Sequence, residues 1–162
     1  MGTGKSSVGE SLARSLKRKF ISTDDRIEQR EKRTIAEIFE KSGEPYFRKV
    51  EKEIIGEVGA LDGIVIAAGG GAVIDEENVK ALKKNGIMIC LSAAPEVIYE
   101  RTKRYKYRPL LNVADPVAKI QELIAERAPF YQRADYQVDT SGRSVAQAAQ
   151  EIISLIGQRR AD

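Results

Sequence analysis

The chain has 162 residues, of which 42% are apolar and 31% are charged, the composition of an ordinary globular domain with its own core. The net charge is +3, from 27 basic and 24 acidic side chains, and this balance argues against a general nucleic-acid-binding protein. The sequence contains no histidine, which excludes histidine-based acid–base, triad and metal chemistry. One cysteine excludes an internal disulfide, and no segment resembles a membrane span or signal peptide, so we expect a cytoplasmic protein without a membrane partner.

The sequence opens on the second half of a phosphate-binding loop. The full pattern is Gly, four residues, Gly, Lys and Ser/Thr, and its leading glycine would precede Met1. Apolar residues then recur at helical spacing, so the loop is predicted to open an amphipathic helix over residues 5–17. In that position the loop N–H groups and the positive end of the helix face phosphate, and the Ser6 hydroxyl can bind Mg²⁺. The predicted ATP contacts here are Gly2, Thr3, Gly4, Lys5, Ser6 and Ser7.

A strand and a long helical segment are predicted next. The short apolar run "KFIST" indicates a strand, and residues 27–61 are mostly helical in pattern. Thr34 and Glu37 have the spacing of a capping box. Gly43 and Pro45 are expected to interrupt the helical segment.

Two further strands are predicted in the middle of the chain. "GIVIAAGGG" is a buried strand that runs into three glycines, and "IMICLSA" is a third strand, in which Cys90 is expected to be a core residue. Helices are predicted over residues 75–86 and 95–104, and the polar, basic segment "YKYRPLLN" is predicted to be a loop.

The last part of the chain repeats the alternation of helix and strand. Residues 115–134 are predicted to form a long helix broken near Pro129, followed by the strand "YQVDTSG" and a final helix over residues 144–158. Apolar strands that alternate with helices predict an α/β domain with a parallel sheet covered on both faces. Ligands of such sheets bind at the carboxyl ends of the strands, which here carry Thr23-Asp24-Asp25, Gly69-Gly70-Gly71 and Ser92.

Six motifs occur in the order and spacing of shikimate kinases, and the chain resembles that family from residue 1 to about residue 156. The motifs are "GTGKSS", "STDDRIEQR", "GEPYFRKVEKE", "IAAGGGAV", "ERTKRYKYRPLL" and "ERAPFYQRAD". The resemblance implies a single P-loop kinase domain over residues 1–162, with a five-stranded parallel sheet between helices. It also implies a substrate-binding helical segment over about residues 24–60 and a mobile lid over about residues 103–114. It implies a monomer that transfers the γ-phosphoryl group of ATP, with Mg²⁺, to the 3-hydroxyl of shikimate in aromatic amino-acid biosynthesis.

The resemblance also assigns roles to individual residues. Lys5 and Arg108 would supply the positive charge that stabilises the oxygens of the transferred phosphoryl group. Asp24 would accept hydrogen bonds from the substrate hydroxyls. Planar guanidinium groups bind carboxylates bidentately, which is the role of Arg48 and Arg127 toward shikimate. The remaining matched positions are Gly69, Gly70 and Gly71 at the substrate ring, and Arg101 and Arg143 around adenine.

Structural roles compete with these assignments. Asp24 could instead cap a helix, and Arg108, Arg101 and Arg143 could be solvated surface charges. Arg48 and Arg127 could form helix-surface ion pairs with Glu51 and Glu126.

The chain departs from the family pattern at Ser22, where shikimate kinases usually carry the first aspartate of an Asp-x-Asp sequence. That aspartate helps to hold Mg²⁺ through its water shell, so a weaker metal site is expected here. Mg²⁺ can still bind through one hydroxyl and the ATP phosphates, with help from Asp24 or Asp25.

Two other functions fit the sequence. One is another small-molecule P-loop kinase, such as a gluconate or nucleotide kinase. The other is a domain that binds shikimate or ATP without turnover, which is favoured by Ser22 and by the incomplete phosphate loop.

The resemblance further implies that a central strand would precede Met1, between the "GIVIAAG" and "IMICL" strands. We therefore expect an open slot in the sheet, with Met1 at its top. We also expect residues 1–162 expressed alone to be insoluble, or molten and inactive.

Overall fold

Strands and helices alternate along the chain in the computed structural model, which describes residues 2–103 and 113–159. The prediction of an α/β fold is therefore confirmed. In chain order the elements are α1 (Lys5–Ser15), β1 (Lys19–Ser22), α2 (Thr23–Glu31), α3 (Ile35–Gly59), β2 (Ile64–Ala67), a 3₁₀ turn (Ala72–Ile74), α4 (Glu76–Lys84), β3 (Ile89–Ser92), α5 (Pro95–Thr102), α6 (Pro116–Tyr131), β4 (Tyr136–Asp139) and α7 (Val145–Arg159).

The strands form two separate parallel pairs. In the first pair Lys19 of β1 lies opposite Ile64 of β2, and in the second Ile89 of β3 lies opposite Tyr136 of β4. Among the described residues no hydrogen-bonded ladder joins β2 to β3. Each of these two strands therefore has one unpaired edge.

A cleft of about 730 Å³ lies between the two pairs. Its walls include the whole of β2 and β3, and the apolar face of α1 contributes Val8 and Leu12. The open slot expected from the sequence is thus present between these two strands. Cys90 of β3 lines the cleft and is only partly buried, so it is not the fully buried core residue that its apolar neighbours predict.

Each strand pair has its own apolar core. Helices α2 and α3 pack on β1 through a cluster that includes Ile21, Ile27 and Ile54. Helices α1 and α7 pack around β4 through a second cluster that includes Val8, Val138 and Ile152. Because α1 contacts β1 and β2 as well as α7, this helix joins the two halves below the phosphate loop.

The predicted start and interruption of the long helical segment are confirmed. The side chain of Thr34 accepts a hydrogen bond from the N–H of Glu37, whose carboxylate accepts one from the Thr34 N–H at 2.8 Å. Gly43 has φ 80° and ψ 168°, which kinks α3 ahead of Pro45.

The predicted break near Pro129 is wrong, because α6 continues to Tyr131. Proline removes only the bond from its own nitrogen to the carbonyl four residues earlier, here Ala125, and the residues after it can still donate. The helical pattern continues beyond it, since the N–H of Gln132 donates to the Ala128 oxygen at 3.2 Å.

Several predictions fall outside the described residues. They concern Met1, Arg108 and most of the lid over residues 103–114. No helix among residues 2–103 and 113–159 is both long enough and apolar enough to span a membrane.

The unpaired edges of β2 and β3 suggest a test of whether the cleft between them can take an additional strand. Joining about ten residues ahead of Met1, as an apolar strand ending in glycine, is expected to raise the melting temperature and make unfolding cooperative. Each added ladder hydrogen bond contributes ~0.5–1.5 kcal/mol net, and the side chains would bury apolar surface. Thermal unfolding followed by circular dichroism measures the change.

The matched control is an extension of the same length built from glycine and serine, which supplies no apolar side chains. Equal melting temperatures for the two extended proteins would show that the cleft does not take an apolar strand.

Candidate active site

The phosphate loop meets α1 at a glycine in the left-handed conformation. Gly4 is the N-cap residue of α1 with φ 88°, so no side chain caps the helix, and a side chain at this φ would be strained. Lys5 is half-buried, and Ser6 and Ser7 are exposed in the first turn. An uncapped helix N-terminus next to a lysine is a site for phosphate oxygens.

The three glycines after β2 let charged side chains approach the main chain closely. A Cβ atom on Gly69 would lie 2.7 Å from Oε1 of Glu51 and 3.3 Å from Oδ1 of Asp24. A Cβ atom on Gly71 would lie 2.6 Å from Nη2 of Arg48. These short distances bring together Asp24, Arg48 and the glycine loop, residues 69–71. The approach of a substrate ring to the loop stays a prediction.

Arg48 is held in place by two carboxylates of its own helix. Its Nη1 donates to Oε2 of Glu51 at 2.7 Å, and its Nε and Nη2 donate to Oε1 of Glu44 at 3.1 and 2.9 Å. The guanidinium also lies over the ring of Phe47, 5.2 Å from the ring centre. These contacts fix the plane of a cation whose side chain remains 31% exposed.

Glu51 forms the buried base of this site. Its side chain is 1% exposed, and its Oε1 atom has no hydrogen-bond partner among the described residues. Burial raises the pKa of Glu51 above its ordinary value, although Arg48 opposes the shift. The ion pair with Glu51 that competes with the binding role of Arg48 is present, and only its Glu51 side is buried; a second pair, with the exposed Glu44, lies at the helix surface.

Asp24 lies near both a cation and a second carboxylate. Burial raises the pKa of Asp24, and the charge of Lys5 counteracts this effect. The helix-cap alternative does not hold, because Ser22 is the N-cap of α2 and accepts a hydrogen bond from the N–H of Asp25 at 3.2 Å. The Asp24 carboxyl is therefore not used as the cap of its own helix.

Helix α6 closes the site from the other side. The Tyr131 hydroxyl donates to the Gly70 oxygen at 3.1 Å, which ties the glycine loop to α6. Arg127 lines the same cleft as Lys5 and Gly70, and its charge opposes the rise that burial causes in the pKa of Glu51. Both arginines predicted to bind a carboxylate thus act electrostatically on one buried carboxylate.

The two arginines predicted near adenine lie in different surroundings. Arg101 points inward and donates to the side chain and main chain of Thr140, at 2.9 and 2.8 Å. Arg143 is exposed and forms an ion pair with Glu151 of α7. The surface-charge alternative therefore describes Arg143 better than Arg101.

Sequence reasoning missed the roles of two residues. Glu51 shares the apolar stripe of α3 with Phe47, Ile54 and Val58, and a carboxylate at that helical spacing could have indicated a buried functional group. The Tyr131 contact had no comparable signal, because it depends on where α6 lies relative to the glycine loop.

The fold and the site together define the class of protein to which this chain belongs. An uncapped helix N-terminus behind the sequence Gly-Lys-Ser, and an arginine fixed beside a loop of glycines, belong to one parallel α/β fold, in which ligands bind at the carboxyl ends of the strands. This is the arrangement of a P-loop small-molecule kinase.

Comparisons with known proteins identify the family within this class. The family model described as shikimate kinase matches residues 1–157. A shikimate kinase of Caldanaerobacter subterraneus subsp. tengcongensis is 47% identical over 153 residues, which cover 94% of this chain and 90% of the relative. A shikimate kinase of Thermus thermophilus is 43% identical over 157 residues, 96% of this chain and 85% of the relative.

Solved structures agree with these matches. The shikimate kinase of Acinetobacter baumannii in complex with shikimate superposes with a TM-score of 0.95 and 38% identity, over 100% of this chain and 91% of that one. The enzyme from Aquifex aeolicus gives a TM-score of 0.81 at 34% identity, over 100% of this chain and 95% of that one. The chain belongs to the shikimate kinase family.

Alanine at the two outer glycines of the loop tests how tightly the site is packed. Gly69→Ala forces Cβ against the buried Glu51 carboxylate, and overpacking of this kind costs ~1–3 kcal/mol. Gly71→Ala meets the end of the Arg48 side chain, which is 31% exposed and can shift toward solvent only by giving up part of its present contacts with Glu51 and Glu44. A smaller loss of stability is therefore expected than for Gly69→Ala. Urea unfolding measures both changes in the free energy of unfolding.

Gly56 provides the control, because it lies within α3 and no atom is found within 4 Å of its Cβ position. Gly56→Ala is expected to stabilise the protein by ~0.5–1 kcal/mol. An equal loss in Gly69→Ala and Gly71→Ala would contradict the distinction between a buried carboxylate and a movable guanidinium.

Proposed function

We propose that this chain is an ATP-dependent kinase that phosphorylates the 3-hydroxyl of shikimate. The observation that carries the proposal is the Arg48 guanidinium, fixed by Glu51 against the glycine loop beside Asp24. An oriented guanidinium suits the carboxylate of a small acid. Family membership and the likeness to a shikimate-bound structure support the same substrate.

The proposed mechanism relies on positioning and charge. Arg48 and Arg127 bind the substrate carboxylate, and the glycine loop allows the ring to approach the main chain. Asp24 accepts the proton of the attacking hydroxyl. The raised pKa of Asp24 makes its carboxylate better suited to this step. Lys5 places positive charge on the transferred phosphoryl oxygens, since phosphoryl transfer is catalysed mainly by positioning and electrostatics. Arg108, outside the described residues, remains a prediction for the same role.

The residues present fit a magnesium ion held mainly by ATP. Among the described residues no group of three or more acidic or cysteine side chains is placed to hold a metal ion by itself, and the Ser22 hydroxyl is engaged as a helix cap. Mg²⁺ retains several waters and accepts few protein ligands, so the exposed Ser6 hydroxyl would hold it, with Asp24 nearby. Bound there, the ion would neutralise phosphate charge.

The proposal also includes properties that follow the family resemblance. The protein acts as a cytoplasmic monomer on small molecules, with no nucleic acid or membrane partner. Helices α2 and α3 form the substrate-binding segment, and Arg101 lies beside adenine. The lid over about residues 103–114 lies mostly outside the described residues and stays a prediction. The adenine role of Arg143 also stays a prediction, since its side chain is exposed and paired with Glu151.

A substrate panel separates this proposal from its alternatives. ADP release is measured with shikimate, gluconate and nucleoside monophosphates, for the 1–162 chain and for the version with the added apolar strand. Release with shikimate alone supports the proposal, and release with gluconate or a nucleotide alone overturns it. Tight binding of shikimate and ATP without ADP release in both versions would instead indicate a binding domain.

Removing either arginine of the carboxylate site should weaken shikimate binding. Arg48→Ala and Arg127→Ala are each expected to cost on the order of 2–5 kcal/mol, because a charged group loses a buried partner. Lysine at either position keeps the charge but loses the planar fork, so it should restore only part of the affinity. Steady-state kinetics with shikimate as the varied substrate measure the effect.

Arg14→Ala, at an exposed position of α1, removes an arginine away from the site and serves as the control. An unchanged KM and kcat in both Arg48→Ala and Arg127→Ala would show that the carboxylate lies elsewhere.

Ser22→Asp tests the departure from the family pattern. Aspartate caps helices about as well as serine, so the start of α2 should be preserved. The added carboxylate is expected to lower the Mg²⁺ concentration for half-maximal rate, because a charged acceptor holds the metal waters more strongly. A titration of rate against Mg²⁺ that shows no shift, or a shift upward, would mean that the family's metal arrangement does not apply here.

A further inference from the structure

The phosphate loop is held from behind by a buried threonine that follows β4. Thr140 is 3% exposed, and its Oγ1 atom lies 3.0 Å from the main-chain oxygens of both Thr3 and Ser92. The hydroxyl has one hydrogen to donate, and the Ser92 oxygen already accepts the Thr140 N–H at 2.9 Å. We therefore assign the hydroxyl hydrogen to the Thr3 oxygen.

Arg101 of α5 reinforces the same contact. Its Nη1 donates to the Thr140 hydroxyl at 2.9 Å and to the Gly2 oxygen at 3.4 Å, and its Nη2 donates to the Thr140 oxygen at 2.8 Å. A Cβ atom on Gly2 would lie 2.8 Å from the methyl carbon of Thr102, so the loop packs directly on α5. Two consecutive carbonyls of the loop are thus bound by one network.

The orientation of these carbonyls determines the orientation of the loop N–H groups. In a trans peptide the C=O of one residue and the N–H of the next lie in one plane and point in opposite directions. Holding the Thr3 oxygen toward β4 therefore aims the Gly4 N–H away from β4. Holding the Gly2 oxygen toward Arg101 likewise aims the Thr3 N–H away from Arg101.

We propose that Thr140 is a positioning residue of the ATP site, which orients the N–H groups of the phosphate loop toward the ATP phosphates through its hydroxyl. This inference rests on the proposed function only in that the loop binds ATP; it does not depend on which alcohol is phosphorylated. Thr140 touches the loop main chain from the side opposite to the N–H groups, so it acts without contacting the nucleotide phosphates itself.

The test compares two substitutions at Thr140 by calorimetric titration of the full chain, with and without the added strand. Thr140→Val keeps the shape and removes the hydroxyl. It is expected to weaken binding of both ATP and inorganic tripolyphosphate by roughly tenfold, with shikimate affinity changed by less than about twofold. Thr140→Ser keeps the hydroxyl and is expected to remain within about threefold of the original protein for all three ligands.

Tripolyphosphate distinguishes the phosphate loop from the adenine site, because it has no base. A loss confined to ATP would place the effect at adenine and overturn the proposal. Equal weakening of shikimate, or Thr140→Ser as weak as Thr140→Val, would indicate general structural damage and would overturn it as well.

Asn78→Ala is the control. Asn78 is also 3% exposed, but its side chain donates to the Ala72 oxygen at 3.0 Å, in another part of the fold. This variant should lose some stability and bind tripolyphosphate as before. If Thr140→Val does not fold, Thr140→Ala gives the same comparison.

A protein that binds both phosphate ligands as expected but does not phosphorylate shikimate would overturn the proposed function and leave this inference standing.

Discussion

The candidate site depends on one buried carboxylate, Glu51, placed under a loop of glycines. A carboxylate that is 1% exposed is costly unless it is paired and hydrogen-bonded, and Arg48 supplies the pair. The pair in turn fits only because Gly69 and Gly71 have no side chains. Residues from α3 and from the end of β2 are therefore fixed together, and the guanidinium has an orientation before any ligand arrives.

Charge and packing connect this pair to the rest of the molecule. Arg127 brings α6 to the same cleft, while the Tyr131 hydroxyl binds the glycine loop directly. Lys5 brings the start of α1 close enough to influence the pKa of Asp24. The two strand pairs share no ladder among the described residues, so helices and loops carry the connection across the cleft between β2 and β3.

Much of this arrangement could be predicted from the sequence, because local signals are strong where the chain is regular. Thr34 and Glu37 indicate the start of α3, and the three glycines indicate a close approach of the main chain. The predicted break at Pro129 is wrong because a proline removes only its own bond, to the residue four positions earlier, and the N–H of Gln132 still donates to Ala128 beyond it. The burial of Glu51 and the inward direction of Arg101 depend on tertiary packing, and single residues carry little information about it.

A binding measurement with two ligands and two proteins tests the oriented guanidinium most directly. Equilibrium affinities for shikimate and for its uncharged carboxamide are measured on the original protein and on Arg48→Ala. We expect the original protein to prefer the carboxylate by at least about tenfold, and the variant to lose most of that preference, since paired charges couple by more than ~1.4 kcal/mol. The same preference in both proteins would contradict the central role of Arg48 and of the carboxylate that holds it.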